Sequence, residues 1–596
     1  MSELSEIQSF YKGKVIFVTG GTGLMGKVLI EKLLYSCSDL NKIYVLIRPK
    51  RGRTPEMRVD EMFKLLMFER IQKQKPETMK KVIPLSGDVG TKNLGLTNEQ
   101  LEILINETDV VFHFAATLKL ESKLKDAIDM NTVGTKRVIE LGRKMKKLKA
   151  FVHLSTAFCY ADKEELDEKV YESSADPHDV MRLVQWLDES AIDLITPKVL
   201  GLHPNTYTYS KRLAERLVAD EYPDLPCIIA RPSIVTPALA EPLPGWVDNL
   251  NGPVGLMVGA GKGVIRSMLC NGSYHAEVIP VDLATNALIA TAYRTATTTR
   301  DTSIPVYNMT QSGILPITWG EVLGKGKKIA YEYPFEGQIW YPTGDIHSSK
   351  FVHNLIVFLF HIIPAYFIDF LMLIFRQKRF MVRIQRRISV GLEVLQYFTM
   401  REWNFHNSNL LVMWQEMSAK DKEIFPIDFS SIDHTEYIKT CVLGARQYCM
   451  KENLSTLPNA RRHQAILYVI HIIAVYLFYI GILYLIYKNF EIARSGLDSV
   501  TEHVKSLSIL GGVIRKVHQC PSLLKMPRRK RRPYCGVREL HLELGKTGGR
   551  SRSAAIVSGI AGRFEKRESA REIWFGFTDG DTRRPNHCHR FLSRPQ

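Results

Sequence analysis

Short continuous runs of apolar residues recur in the first part of the chain, at 15–18, 42–47, 82–85, 109–116 and 151–156. Such runs, rich in β-branched and aromatic side chains, read as strands buried on both faces. The segments between them, at 24–34, 56–74 and 132–146, space their apolar residues three and four apart and predict helices. Alternation at this pace predicts an α/β fold: a doubly wound parallel sheet with its chemistry at the carboxyl ends of the strands. A further helix is predicted from 204 through Leu217.

Two longer apolar stretches follow. The first, 351–375, contains His353, His361, Pro364 and Asp369. Proline would break a straight helix, and polar groups at mid-bilayer are expensive. This stretch therefore predicts a buried or interfacial helical pair, opening a mostly helical C-terminal domain over 345–445. The second, 466–487, has no formal charge, bilayer length and several tyrosines, which predicts a transmembrane helix.

With 596 residues the chain is too long for one core. A nucleotide-binding domain with substrate-binding insertions is expected over 10–300. The net charge of +18 suggests nucleic acid until it is located: 503–596 holds 21 Lys and Arg against 7 Asp and Glu, leaving only +4 for everything before it. The excess belongs to a basic tail at 495–596, expected to be disordered, and no nucleic-acid partner is expected. Nine scattered cysteines without a C-x-x-C pair suit a reducing compartment and argue against a zinc site. The polar, acidic first residues are no signal peptide, so the nucleotide domain is expected in the cytosol.

The candidate chemistry begins at Val15-Ile-Phe-Val-Thr-Gly20-Gly-Thr-Gly23-Leu-Met-Gly26, a strand entering a G-x-x-G-x-x-G turn and leaving as a helix. Gly20 permits the tight turn, Gly23 lets backbone approach a pyrophosphate, and Gly26 lets the helix pack closely. Phosphates would sit at the helix N-terminus, making Thr22, Leu24 and Met25 further candidate contacts. The second strand ends at Arg48, where an NAD-selecting fold usually has an acidic residue, so the cofactor is expected to be NADPH. The third runs to Gly87-Asp88, and the fourth ends in the small pair Ala115-Ala116, which lets backbone pass close to a cofactor. The fifth ends in the hydroxyls of Ser155 and Thr156, either of which could hold a reacting carbonyl oxygen. Tyr207 and Lys211, four apart, share one helix face. The nearby ammonium is expected to lower the tyrosine pKa, so that the phenol transfers a proton near neutral pH.

These motifs, with Arg231-Pro-Ser-Ile-Val, Pro244-Gly-Trp-Val-Asp-Asn-Leu-Asn-Gly-Pro253 and Ile279-Pro-Val-Asp282, resemble the extended short-chain dehydrogenase/reductase superfamily. More narrowly, they resemble its fatty acyl-CoA reductases, over roughly 10–490. The resemblance implies a Rossmann-type domain with Thr156, Tyr207 and Lys211 as the catalytic set. It implies Asn131 acting through a structural water, with Arg48 and Asp88 on the adenosine half. It also implies reduction of long-chain acyl-CoA to a fatty alcohol by two hydride transfers from NADPH. The enzyme would be anchored at its C-terminus in the endoplasmic reticulum or peroxisomal membrane, facing the cytosol. Two other readings stand beside it: an extended reductase acting on a sterol or nucleotide sugar, and a non-catalytic membrane scaffold that keeps a nucleotide fold. The oligomeric state is unknown from the sequence.

Overall fold

The computed structural model describes residues 4–489 apart from 51 and 174, together with 495–496 and 499–503. Nearly all of the basic tail therefore lies outside the described residues. The chain divides into two compact units, with the break between Gln464 and Ala465.

The first unit is organised by seven parallel strands. In chain order they are β1 (Val15–Thr19), β2 (Lys42–Ile47), β3 (Val82–Ser86), β4 (Val110–His113), β5 (Ala150–Leu154), β6 (Cys227–Pro232) and β7 (Val306–Met309). In space they run β7-β6-β5-β4-β1-β2-β3. Both faces are covered, which is why the strands are apolar on every side. Ile16 and Val18 point into a core shared with α1 (Leu24–Ser36), and Val15 and Phe17 into one shared with α2 (Gly134–Gly142) and α3 (Thr206–Asp220). The strand order reverses between β1 and β4, and that crevice is where such sheets bind ligands.

Three local predictions change. The helix expected over 56–74 is broken into Pro55–Phe63, a 3₁₀ turn at Leu66–Phe68 and Glu69–Gln74. The break lets Phe63 and Phe68 pack edge to face in the core, with ring centroids 5.2 Å apart. The helix expected from 132 begins earlier and carries a π turn at Ile128–Val133. The stretch at 351–375 is not a pair split at Pro364 but one run, Lys350–Ile374, with a π turn at Phe358–Ile362 just before the proline. The wider turn accommodates a residue without an N–H, whose ring would crowd the preceding carbonyls of a regular helix.

Helices after residue 400 do not form a separate core. Leu410, Met413, Phe425, Phe429 and Tyr437 join the same cluster as β1 and α1. The contact is closest between the 244–253 block and the helix His434–Gly444. Gly245, at φ +73°, would drive a Cβ into the Thr440 carbonyl, and a Cβ on Gly444 would overlap the Gly245 carbonyl.

The final helix, Leu457–Asn489, starts in the first unit. There the Arg461 guanidinium and the Gln464 amide donate to the carbonyls of Glu332 and Tyr331 at 2.9 and 3.0 Å. Its continuation, in the second unit, exposes apolar residues all round, including Ile470, Ile473, Leu477 and Leu483. By length and composition this helix can cross a membrane.

Candidate active site

The motif residues gather at the carboxyl ends of β1 to β5. Gly20, at φ +76°, lies so close to the chain leaving β4 that a Cβ would come within 2.7 Å of Ala115 N. Gly26 lets α1 press onto the turn in the same way, since a Cβ there would come within 2.6 Å of Gly21 Cα and closer still to the Gly20 carbonyl oxygen. A Cβ on Gly23 would sit 3.3 Å from the Gly20 carbonyl oxygen, a tight contact, and Gly23 caps α1 without any side-chain acceptor. The amides of that first turn are left facing outward, the arrangement an anion requires.

A chain of hydrogen bonds ties this turn to the next elements. Ala115 N–H donates to Thr19 Oγ1 (3.2 Å), which lies 2.8 Å from His113 Nδ1. His113 Nε2 lies 3.0 Å from Thr135 Oγ1, which donates to the Asn131 carbonyl at 2.6 Å. Of the two neutral tautomers, only the one with its proton on Nε2 satisfies these directions. Burial, aided by the nearby Lys211 charge, pushes His113 down to about 3, so it stays neutral. The Asn131 side chain accepts from Thr117 N–H (2.8 Å) and donates to Ser210 Oγ (2.9 Å), fixing α3 against the end of β4.

Tyr207 and Lys211 lie on α3, whose N-terminus is capped by Asn205 through Thr208 N–H at 2.9 Å. Thr156, just past β5, lies beside the Tyr207 phenol, and its Oγ1 accepts from Phe158 N–H at 3.3 Å. Lys211 Nζ donates to the Leu154 carbonyl at 2.6 Å. Burial lowers Lys211 to about 8 although Glu215 and Cys159 oppose it. The tyrosine pKa moves opposite to expectation. Burial raises it and Cys159 adds to the rise, outweighing the opposing influence of the nearby Thr156 hydroxyl, while the lysine ammonium is engaged by a backbone carbonyl. Beneath them Arg231 and Glu215 form a fully buried two-pronged ion pair, at 2.9 and 2.7 Å. Arg231 also donates to the carbonyls of Asp167 and Lys169. Ser155, the other candidate hydroxyl, is buried with no hydrogen-bond partner.

The chain is 36% identical to fatty acyl-CoA reductase 1 of Rattus norvegicus over 77% of its own length and 88% of the relative's. It is also 36% identical to fatty acyl-CoA reductase 2 of Mus musculus, over 83% and 94%. The chain belongs to the fatty acyl-CoA reductase family. Two family models described as male sterility protein match this reductase, an NAD-binding one at 18–288 and a second at 360–452. The reductase domain of a nonribosomal peptide synthetase from Mycobacterium tuberculosis shares the fold, with a TM-score of 0.50, 17% identity and coverage of 73% of this chain and 93% of that one. The reductase thus has a nicotinamide-cofactor domain built on a Rossmann-like parallel sheet.

The residues fit such a cofactor. The outward amides after Gly23 suit the pyrophosphate, and the end of β2 is basic. Arg48 is exposed there, and Arg58 donates to the Arg48 carbonyl (2.8 Å) and to Thr22 Oγ1 (3.3 Å). Burial and the neighbouring Arg48 charge lower the Arg58 pKa. Arg58 escaped the sequence reading because it sits on an ordinary charged helix. Asp88, beyond β3, folds its carboxylate onto Gly90 N–H at 2.9 Å. His113 and Thr135 were also missed, since single polar residues in an apolar strand and helix give no periodic signal. Among the described residues no His, Cys, Asp and Glu cluster could hold a metal, and the six described cysteines are free and buried.

Proposed function

We propose that this reductase converts long-chain fatty acyl-CoA to the fatty alcohol and free CoA with NADPH, while held at a membrane. The observation that carries the reading is Thr156, Tyr207 and Lys211 gathered at the carboxyl end of β5, in the same parallel sheet whose β1 runs into the glycine turn, in a chain of this family. NADPH, when bound, supplies the hydride for each of two reductions. Thr156 and Tyr207 hold the thioester carbonyl oxygen, and the Tyr207 O–H gives that oxygen its proton as the carbonyl carbon is reduced. The resulting hemithioacetal breaks its C–S bond, the hydroxyl proton leaves, and CoA departs as the thiol. The aldehyde left behind takes a second hydride at carbon and, once Tyr207 has regained a proton from solvent, a second proton from Tyr207 at oxygen. Lys211, fixed on the Leu154 carbonyl, orients the nicotinamide ribose, and the protein's share of the chemistry is placement and charge. The test is to supply the purified full-length protein with NADPH and a panel of acyl-CoAs and identify the products. Fatty alcohol from long chains supports the proposal, and its absence across the panel rejects it.

Arg48 and Arg58 lead us to assign the cofactor preference to the 2′-phosphate. Arg48→Asp replaces attraction with repulsion and is expected to weaken NADPH binding much more than NADH binding. Equal loss for both would mean that Arg48 does not read the phosphate.

The anchor is assigned to 466–487. Because Arg461 and Gln464 bond to the first unit, truncation after Gln464 removes the apolar segment without disturbing those contacts. Carbonate should release far more of the truncated protein than of the full-length one, with NADPH binding preserved in both. Full-length protein that washes off with carbonate would overturn the anchor.

A further inference from the structure

The run Lys350–Ile374 has the polarity of a soluble helix turned inside out. Three of its polar residues, His353, His361 and Asp369, face the protein. His353 Nδ1 lies 2.8 Å from Ser267 Oγ, and His361 Nε2 accepts from Arg266 N–H at 2.9 Å while its Nδ1 meets the Gln385 amide at 2.8 Å. Asp369 accepts three backbone N–H groups, from Phe380, Met381 and Val382, at 2.8–3.1 Å. Its apolar residues face outward: Phe351 is 76% exposed, and Leu355, Phe358, Ile362, Tyr366, Phe370 and Leu373 follow at three- and four-residue spacing, each 38–59% exposed. A contiguous apolar ridge of this length on a soluble surface marks a site of contact.

Charge identifies what it contacts. From 370 to 392 there is no Asp or Glu, while Arg376, Lys378, Arg379, Arg383, Arg386 and Arg387 are all exposed. Three of them, Arg379, Arg383 and Arg386, line a concavity with Tyr366, Asp369, Phe370, Leu373 and Val382. An apolar ridge beside a wholly basic rim complements acyl chains beneath anionic headgroups. We propose that this face docks the reductase on an anionic phospholipid surface, lying in the interface and not across it. The attachments argue against a span. His353 and His361 hold the first half of the helix on Ser267 and Arg266 of the reductase body, and Asp369 holds its second half on the start of the helix that follows. A helix whose inner stripe is engaged in this way offers lipid its outer side.

Docking also reaches the chemistry. The helix Met381–Thr399 begins in the basic rim, and near its other end Phe398 packs on Phe158 with centroids 5.4 Å apart and Tyr397 donates to the Ala161 carbonyl at 2.8 Å. Phe158 follows Thr156 in the turn that Thr156 caps. Seating the rim on headgroups therefore fixes the catalytic turn at a set height above the bilayer.

This inference rests on the chain being held at a membrane, and the test separates the two. Full-length protein is reconstituted in phosphatidylcholine vesicles with or without phosphatidylserine, each containing lipids with a photoreactive group either shallow or deep in the acyl chain. Adducts are mapped by mass spectrometry. Shallow probes should label Phe358, Tyr366 and Phe370 with similar yield, more strongly when phosphatidylserine is present. Adducts on 466–487 serve as the internal control for the anchor. Arg383→Glu with Arg386→Glu should cut labelling of 351–375 several-fold, leaving labelling of 466–487 and NADPH binding unchanged. Labelled 466–487 with unlabelled 351–375 would overturn the proposal. So would deep-probe adducts graded along 351–375, which mean a span, or insensitivity to the arginine changes.

Discussion

Replacing Tyr207 with Phe is expected to lower turnover at least ~10²-fold, the usual penalty for losing a positioned proton donor. NADPH binding should stay nearly intact, because the ring, the α3 cap and the Lys211–Leu154 contact remain. Near-normal turnover would sink the assignment. The pH profile adds a second readout. Tyr207 is raised, so it remains protonated through the neutral range, and the first group to lose its proton on going alkaline is Lys211, at about 8. The ratio kcat/KM, which reports the free enzyme, should fall as pH rises through about 8, and Lys211→Arg should move that limb upward. On stability the same shift has the opposite sign. Between about 8 and the ordinary 10.5 the unfolded chain holds a proton that folded Lys211 does not, so raising pH there favours the folded form.

The second large effect belongs to the ion pair under the site. Glu215→Ala leaves the Arg231 guanidinium fully buried with two backbone carbonyls and no counter-charge. Breaking a buried pair from one side costs about 3–5 kcal/mol, a large part of a typical net stability of about 5–15 kcal/mol. The measurement is equilibrium denaturation of the detergent-solubilised protein, followed by NADPH binding. Glu215 also raises Lys211, so the alkaline limb of the surviving folded fraction should move below 8. Adding Arg231→Met should recover only part of the loss, since the carbonyls of Asp167 and Lys169 lose their donor. A stability change under 1 kcal/mol would show that the pair is not buried as described.

The first five strands were legible because buried parallel strands must be apolar on both faces, and the glycine turn and the Tyr207–Lys211 spacing fix local geometry. Tertiary balance was not legible. Whether Tyr207 is raised or lowered depends on burial against one ammonium, and the ammonium's position is set by the Leu154 carbonyl, 57 residues away in sequence. Arg58 reaches Thr22 only because β2 and its following helix return beside the glycine turn. The polar residues of 351–375 were visible in sequence and spoke against a simple span. Their partners, Ser267, Arg266 and Gln385, are what fold the stretch face down on the protein.

The Gly245–Gly444 seam constrains motion and inheritance alike. Two backbones that meet with no room for a single methyl group cannot slide or hinge without opening a gap along the whole 244–253 block. The regions on either side, one in each of the two family-model matches, are therefore expected to move together. Substrate entry and product release are then expected at loops on the rim of the sheet and not through a clamshell between those regions. For the same reason neither glycine tolerates change alone. The seam should be passed on as a matched pair, and a chimera exchanging 360–452 between relatives should fold only when the 244–253 block travels with it.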